Sequence, residues 1–389
     1  MLQSRRMNTS SSSQKKSLYA QDGVDVEEEA SFSSYAGSIC RTSYQNSPFV
    51  NVTDLSAGQF RGPRPFTFSN LPAGYSIEAT SDGIGTKGVL IDAAKTHKNA
   101  AYDLVAMTAS DITRYGGLPL VLINILDVVG VGEEGSDVNL AYKNLLDGLG
   151  TVCGEANVVA LKGETAQMSV CLGSEIADSP TKFNWGATMI GLYHPDKMIT
   201  GDTVTEGQAI IALKENGFRC NGISSVRKAL KMQYGDTWWN NAEAQNDIRL
   251  AATPSVLYDT FINTLHGWYQ SDHQAELTIN AVVHLSGGAL REKLANDLLF
   301  PRGLSANLNN LFEPPKIMSR CAKWRGIEDQ EFYETWNGGQ GMLLVVDQKD
   351  AERCVARAQE FAIEACIAGE ITNELKPCVT VESRLSGKQ

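Results

Sequence analysis

The sequence lacks three features that would assign it to common functional classes. It has no basic excess: 45 acidic residues against 34 lysines and arginines give a formal net charge of −11, which argues against a broad nucleic-acid or membrane-surface role. It has no apolar run that approaches membrane-spanning length. None of its 8 cysteines forms a CxxC pair, which argues against a zinc ribbon or a thioredoxin-like site. The cysteines are typical of reduced thiols, so we expect a cytoplasmic protein.

The composition is that of a globular chain. Its 389 residues are 42% hydrophobic and 20% charged, which is enough for real cores and fits two domains. The first 21 residues are Ser-rich and contain no acid, which favours a disordered tail over residues 1–18 and leaves a transit peptide as the alternative. A polar stretch with one proline and two glycines, residues 194–207, is interpreted as the linker. We therefore predict an N-terminal domain over residues 19–200 and a C-terminal domain over residues 201–389.

Strands and helices alternate in both halves, which predicts two α/β layers with mixed connections. Apolar periodicity predicts helices at residues 101–115, 139–155, 223–232 and 349–368, and one that begins at Ala289. Alternating or short apolar runs predict strands at residues 75–79, 121–129, 158–161, 185–193, 208–213, 280–285, 342–346 and 377–382.

A glycine-rich stretch follows the first predicted strand. It reads Ser81-Asp82-Gly83-Ile84-Gly85-Thr86-Lys87, and it has neither the GxxxxGK[ST] nor the GxGxxG spacing. Glycines let backbone N–H groups approach a phosphate, and Lys87 can neutralise the phosphate charge. The alternative is an ordinary glycine turn with Lys87 in solvent.

Acidic residues at three separate places add to this stretch. Asp111 lies seven residues after Leu104 on the apolar stripe of its predicted helix, and a buried carboxylate without a cation costs roughly several kcal/mol. Glu164 follows the short strand in "LKGETAQM". Together with Asp82, carboxylates on separate elements beside a glycine loop indicate a Mg²⁺–nucleotide site. The alternatives are an ion pair between Asp111 and Arg114, and a helix-dipole role for Glu164.

The second half repeats the order of strand, glycines and helix. Arg219 and Asn221 lie in "GFRCNG" before a helix, where free N–H groups make an anion site. Arg219 can add a bidentate phosphate contact, or it lies in solvent. His284 precedes two glycines and is either an acid–base group or a packed core histidine. Asn337 in "NGGQGM" either holds a substrate amide or belongs to a glycine turn.

These motifs together resemble the phosphoribosylformylglycinamidine cyclo-ligase family, the aminoimidazole ribonucleotide synthetases. "TSDGIGTK" is similar to its TDGVGTK loop, "DLVAMTASD" to its DLVAMxxND helix, and "GETAQM" to GETAEM. "CNGISSVRKAL" is similar to SNGYSLVRK, "LAATPSVLY" to LLxPTRIY, "HLSGG" to HLTGGG, and "TWNGGQGM" to TFNxGxGM. With "YAQDGVDVEE" near the start, eight matches follow the family's order and cover almost the whole chain after the tail.

The resemblance implies a fold and a reaction. The implied fold is α/β with α+β character, in which the N-terminal domain forms a barrel across a homodimer and the C-terminal domain is an α/β sandwich. The implied reaction belongs to purine biosynthesis: formylglycinamidine ribonucleotide is closed to aminoimidazole ribonucleotide with ATP and Mg²⁺. ATP phosphorylates the formyl amide oxygen, and the amidine nitrogen then attacks that carbon and expels phosphate. By resemblance, the residues around Mg²⁺–ATP are Asp82, Gly83, Gly85, Thr86, Lys87, Asp111 and Glu164, of which the three acids bind the metal. Asn221, His284 and Arg219 then lie near the substrate, and no nucleic acid or membrane is implied.

The chain departs from the family pattern at several positions. Arg219 and Cys220 stand where the family has His and Ser, and a guanidinium cannot replace an imidazole in proton transfer. Gly338 and Gln340 replace Cys and Val, and prolines occur in the early loop that is glycine-rich in the family. Two alternatives therefore stay open: another ATP-using member of the superfamily, such as a thiamine-phosphate kinase, and a nucleotide-binding homologue without turnover.

Overall fold

The computed structural model describes residues 26–53, 65–71 and 73–386. Within these residues the chain forms a four-stranded sheet and a six-stranded sheet with helices against them, and a two-stranded sheet of β1 (Val50–Val52) and β2 (Phe66–Phe68). This arrangement confirms the mixed α/β fold. The predicted tail and the early loop "SAGQFRGPR" lie outside the described residues. No helix within the described part of the chain combines the length and the apolar character needed to cross a membrane.

The N-terminal half is built on the four-stranded sheet. Its strands lie in the order β3-β6-β4-β5, and among them only β4 and β5 are parallel. The strands are β3 (Ser76–Gly83), β4 (Leu118–Val128), β5 (Val159–Gln167) and β6 (Phe183–Tyr193). The helices are α1 (Val26–Thr42), α2 (Lys87–Ala94), α3 (Ala100–Thr113) and α4 (Asp137–Glu155). The start of α4 follows from its cap, because the Ser136 hydroxyl accepts a hydrogen bond from the Asn139 N–H at 3.2 Å.

The two faces of this sheet differ. On one face, Leu122, Leu126 and Met189 pack with the apolar stripe of α3 in a fully buried core. The other face is only partly covered by the β1–β2 sheet, and it leaves Ile77 60% exposed and Ile125 55% exposed. An apolar sheet face that remains this exposed is typical of a surface that binds a partner.

The C-terminal half contains the six-stranded sheet, in the order β12-β9-β11-β7-β10-β8. The strands are β7 (Ala209–Lys214), β8 (Ile279–His284), β9 (Ser305–Leu308), β10 (Gln340–Val346), β11 (Ala365–Thr372) and β12 (Val379–Val381). The helices are α5 (Ile223–Tyr234), α6 (Gln245–Ala251), α7 (Asp259–His266), α8 (Lys316–Arg325), α9 (Asp329–Thr335) and α10 (Ala351–Gln359). Successive residues of β7 enter two different cores, Ile210 on one face and Ile211 on the other, so this central strand is buried on both sides.

A wide helix follows β8. Residues Leu290–Leu299 form a π-helix, and π-helical turns occur frequently at functional sites. Ala289, directly before it, has φ 37° and ψ −123°, a backbone conformation that suits glycine and strains a residue with a Cβ. The sequence therefore predicts the start of this helix to within one residue but not its kind.

Several predicted boundaries change in the structure. The helix predicted over residues 349–368 is wrong beyond Gln359, because residues 365–372 form β11 between β7 and β9. Pairing of this apolar segment inside the sheet outweighs its helical periodicity. Strands β3 and β5 are longer than predicted, so that Asp82 and Glu164 lie within strands rather than in the loops after them.

A chain of hydrogen bonds joins the two halves at the linker. His266 Nε2 lies 2.7 Å from the Lys197 carbonyl, His273 Nε2 lies 3.2 Å from His266 Nδ1, and the Tyr75 hydroxyl lies 3.1 Å from His273 Nδ1. Burial lowers the pKa of both histidines, which favours neutral imidazoles. Since the Lys197 carbonyl can only accept, neutral rings carry the proton on Nε2, and the Tyr75 hydroxyl donates. We call Tyr75, His273, His266 and the Lys197 carbonyl the histidine chain.

Candidate functional site

The glycine-rich stretch owes its shape to close packing and to one turn. Gly83 ends β3 beside β6, where an added Cβ would lie 2.8 Å from the Trp185 carbonyl oxygen. Gly85 has φ 52°, which a glycine adopts without strain. Thr86 precedes the first residue of α2. The stretch therefore passes from strand to helix through a tight turn, in which the Lys87 N–H donates to the Ile84 carbonyl at 3.2 Å. Within the described residues, the N–H groups of Gly85 and Thr86 make no backbone hydrogen bond.

Asp82 lies next to last in β3 and near Asp111. Its Oδ1 accepts a hydrogen bond from the Gly83 N–H at 2.7 Å. Burial raises the pKa of the Asp82 carboxyl; the Gly83 hydrogen bond opposes this increase, and the negative charge of Asp111 adds to it. Two carboxylates that repel each other across a partly buried gap favour a cation between them.

Asp111, near the end of α3, faces the C-terminal half. Its Oδ1 lies 3.7 Å from His284 Nδ1, at the end of β8, and its side chain is 35% exposed. Burial alone would raise the pKa of Asp111, but the neighbouring His284, Arg114 and Lys293 hold that pKa below its ordinary value. Asp111 is therefore an ionised carboxylate at the junction of the two halves.

His284 is buried, and no described residue makes a hydrogen bond with its imidazole. Its side chain is 1% exposed, and among the described residues neither imidazole nitrogen has a partner. Burial lowers the pKa of His284 to about 4, although Asp111 opposes this decrease. The imidazole is therefore neutral near pH 7, with one nitrogen able to donate and the other able to accept.

Glu164 does not join Asp82 and Asp111 within one chain. Asp82 is in edge strand β3, whereas Glu164 is exposed in β5 at the opposite edge, about 14 Å away at roughly 4.8 Å per strand. Among the described residues, no group of three or more His, Cys, Asp or Glu side chains is arranged to hold a metal ion. The pair of Asp82 and Asp111 still fits Mg²⁺, which usually takes one or two carboxylates and completes its shell with phosphates and water.

Lys87 is placed differently from the sequence-based expectation. Its ammonium is fully buried and donates to Asp103 Oδ1 and to the Thr253 carbonyl oxygen, both at 2.7 Å. Asp103 also accepts from the N–H and the hydroxyl of Ser255. Lys87 thus ties α2 to α3 and to the C-terminal half, and in this arrangement its ammonium does not face an open phosphate site.

Arg219 is also an internal tie. Its guanidinium is fully buried against Glu215, with Nη1 3.0 Å from Glu215 Oε2, and it donates to the Ala106 carbonyl and the Ser110 hydroxyl of α3. These bonds hold the loop between β7 and α5 against α3, where Ser110 directly precedes Asp111. The guanidinium has no exposed surface, so a phosphate contact from Arg219 is absent from this arrangement.

The two predicted asparagines differ. Asn221 is partly buried beside Gly287, and its Nδ2 is among the described buried atoms without a hydrogen-bond partner. Asn337 is buried and satisfied: it donates to the Gly217 carbonyl and accepts from the Gly339 N–H. Asn221 can therefore bind a ligand, whereas Asn337 holds a glycine turn.

Two cavities are lined by residues that neighbour the carboxylate pair. One, of about 400 Å³, is lined by the glycine-rich stretch at Gly85 and Thr86 and by the loop that includes Met168 and Leu172. The other, of about 360 Å³, is lined by His284, Arg114 and Lys293. From the sequence, Arg114 is expected only as an ion-pair partner, and Lys293 is not expected at the site. A cavity formed by the end of α3 and a helix about 180 residues later leaves no local sequence signal.

Comparison with known proteins assigns the family. A model described as AIR synthase related protein, N-terminal domain, matches residues 67–192, and one described as AIR synthase related protein, C-terminal domain, matches residues 205–382. A phosphoribosylformylglycinamidine cyclo-ligase of Staphylococcus aureus is 30% identical over 304 residues, with 78% of this chain and 82% of the relative covered. One of Oceanobacillus iheyensis is 25% identical over 365 residues, with 92% and 97% covered.

Solved structures share the fold. Thiamine-monophosphate kinase from Stenotrophomonas maltophilia aligns with a TM-score of 0.56 at 13% identity, covering 91% of this chain and 96% of that chain. HypE of E. coli aligns with a TM-score of 0.54 at 13% identity, covering 89% and 92%. Identities this low show the fold alone. The two domain models and the cyclo-ligase relatives show that this chain belongs to the AIR synthase related family.

Proposed function

We propose that this enzyme closes the imidazole ring of formylglycinamidine ribonucleotide with ATP and Mg²⁺ and releases ADP and phosphate, in the cytoplasm. The observation that carries the proposal is the approach of Asp111, the neighbour of Asp82 in one half, to His284 from the other half, in a chain similar to named cyclo-ligases. A reaction between two bound substrates requires such a junction, because most of its catalysis comes from positioning and charge neutralisation.

The residues divide between the two substrates. We assign the cavity at Gly85 and Thr86 to ATP, since the backbone N–H groups of such a glycine-containing turn can bind phosphate. Asp82 and Asp111 would hold Mg²⁺, which neutralises phosphate charge when bound. The amidine substrate then lies between Asn221 and His284, whose polar nitrogens are without partners in the described structure.

His284 is the residue that we assign to proton transfer. Ring closure removes a proton from the attacking amidine nitrogen, and a neutral imidazole can accept it. The buried environment keeps His284 neutral at physiological pH. Arg219, which stands at the family's histidine position, acts in this proposal by holding α3 in place rather than by contact with substrate.

A homodimer is part of the proposal. The exposed apolar face of the four-stranded sheet, with Ile77 and Ile125, fits the same face of a second copy. Burial of such a face in a two-fold interface removes apolar surface from water in both copies. Glu164 lies in this sheet and would then be near the second copy. In the homodimer it would therefore lie near the interface rather than at the metal site of its own chain.

The test is an assay of the product by mass spectrometry, with formylglycinamidine ribonucleotide, ATP and Mg²⁺. We expect the wild type to form aminoimidazole ribonucleotide and Asp111→Asn to lose at least about 100-fold in rate, in line with lost charge stabilisation. The matched control is Asp236→Asn, which changes a carboxylate that is 85% exposed and should leave the rate unchanged.

Each outcome decides a different point. Absence of product from the wild type would overturn the cyclo-ligase proposal, and ATP binding without ADP release would favour a homologue without turnover. Product from Asp111→Asn at the wild-type rate would leave the reaction in place but remove the assignment of the metal site.

A further inference from the structure

The cavity beside His284 is lined by four parts of the fold. Arg114 lies directly after α3, Thr200 in the linker, His284 in β8, and Lys293 and Asp297 in the π-helix. Its volume of about 360 Å³ exceeds what a phosphate group and a few waters occupy, at ~30 Å³ for each water. Asp111 is not part of its lining. The cavity therefore adjoins the carboxylate pair without containing it.

Two cations that line this cavity have no close and buried counter-ion among the described residues. Within the described residues, no carboxylate lies within ion-pair distance of Arg114, whose guanidinium lies over the Tyr115 ring and donates to its hydroxyl. Within the described residues Lys293 forms an ion pair with Asp297, at 3.6 Å, and Asp297 is 52% exposed. A pair that is this open to water is weak, so an incoming anion can compete with Asp297 for the ammonium. Asp111 is the other carboxylate that both cations influence, at longer range.

The buried imidazole supplies an independent indication of a ligand. His284 lines the cavity, is 1% exposed, and has no hydrogen-bond partner at either nitrogen among the described residues. Polar atoms that are buried without partners destabilise a fold, and they persist where a ligand completes them. A phosphate oxygen accepts from an imidazole N–H, and the same ligand can reach the two cations.

We propose that Arg114 and Lys293, with His284, bind the phosphomonoester group of a sugar phosphate in this cavity. The inference deepens the proposed function, on which it rests, by naming the residues that distinguish the ribonucleotide substrate from its dephosphorylated form. A doubly charged phosphate gains charge-assisted hydrogen bonds from both side chains. A neutral ribose gains neither, so the cavity selects for phosphate.

The π-helix provides a matched control for this proposal. Arg291 lies two residues before Lys293 on the same helix, but it lines a different cavity next to Tyr333 and pairs with Glu334. Arg291→Gln therefore removes the same charge from the same helix without touching the proposed site. Lys293→Arg keeps the charge and should retain binding, which separates the role of charge from that of helix packing.

The experiment is isothermal titration calorimetry with ribose 5-phosphate as the probe and ribose as its uncharged counterpart. We expect the wild type, Arg291→Gln and Lys293→Arg to bind ribose 5-phosphate, and Lys293→Gln and Arg114→Gln to bind it at least 10-fold more weakly. Ribose should bind to none of them. Thermal unfolding of each variant checks that the fold is intact. Equal affinity of Lys293→Gln and the wild type, or equal binding of ribose, would overturn the proposal.

A parallel measurement of ring closure tests the proposed reaction and the phosphate site separately. If Lys293→Gln raises the KM for the amidine ribonucleotide at least 10-fold and leaves the KM for ATP unchanged, both levels stand. If ribose 5-phosphate binding depends on Lys293 but no ring closure occurs, the proposed function fails and the phosphate site remains. If ring closure occurs and neither variant changes that KM, the phosphate site fails alone.

Discussion

Two groups of buried histidines in this chain have opposite surroundings. In the histidine chain, all four ring nitrogens of His266 and His273 have a partner, whereas His284 has none among the described residues. Burial lowers the pKa of His266, His273 and His284 alike. Burial and a lowered pKa therefore do not distinguish a structural histidine from a functional one. These three histidines differ in their satisfied nitrogens: satisfied atoms stabilise the fold, whereas both nitrogens of His284 are available to a ligand.

The largest effect should come from His284→Leu. This substitution removes the proposed proton acceptor, and we expect kcat for ring closure to fall about 100-fold or more. The free energy of unfolding should stay equal or rise, because two unsatisfied buried nitrogens disappear. Steady-state kinetics measure kcat, and urea denaturation measures the free energy of unfolding. An unchanged kcat, or a clear loss of stability, would place His284 with the structural histidines.

His273→Leu should show the reverse pattern. It leaves the Tyr75 hydroxyl and His266 Nδ1 without partners, and a buried polar group left unsatisfied costs about 1–3 kcal/mol. We expect the free energy of unfolding to fall by about 2–4 kcal/mol in total, with kcat at 25 °C within twofold of the wild type. If urea denaturation finds wild-type stability, the histidine chain contributes no stability.

Acid should weaken the same contact. Burial, with the charges of His266, Lys197 and His194, lowers the pKa of His273 to about 3, against about 6.5 for an unfolded histidine. The unfolded state therefore binds more protons between these values, and stability is lost as the pH falls from about 6.5 towards 3. Tyr75, Asp196 and Asp272 are the other titratable groups near the chain.

The measurement is urea denaturation at pH 7.5 and pH 5. We expect the stability difference between the wild type and His273→Leu to be smaller at pH 5, because only the wild type pays for a neutral His273. A difference that is independent of pH would mean that His273 is not kept neutral by the fold.

A smaller effect should follow from Gly116→Ala. Gly116 has φ 80°, and an added Cβ would lie 2.9 Å from His266 Nε2, so the methyl group would push the histidine chain away from the end of α3. Gly207→Ala is the control, with φ 84° and nothing within 4 Å of the added Cβ. In both variants the positive φ should lower the free energy of unfolding by about 1 kcal/mol or more. Gly116→Ala should lose about 1–2 kcal/mol more in the free energy of unfolding than Gly207→Ala. Equal losses in urea denaturation would show that His266 moves away from the added methyl group without cost.

Much of the fold is predictable from the sequence because its signals are local. The apolar stripe of α3 and the serine cap of α4 lie within single elements, and motif order identifies the family. The burial of Lys87 and Arg219 is not predictable in this way, since each depends on partners from the other half of the chain. The same holds for Glu164, whose distance from Asp82 depends on strand order. A charged residue in a motif predicts that charge is needed, but not whether its counter-ion is a ligand or the protein itself.

The exposed sheet face has a consequence for measurement. If a homodimer interface buries Ile77 and Ile125 of both copies, unfolding also separates the two copies. Mass action then makes the melting temperature rise with protein concentration. Dilution would then act like a mild denaturant on the N-terminal sheet. An enzyme of this kind would be most active where it is abundant.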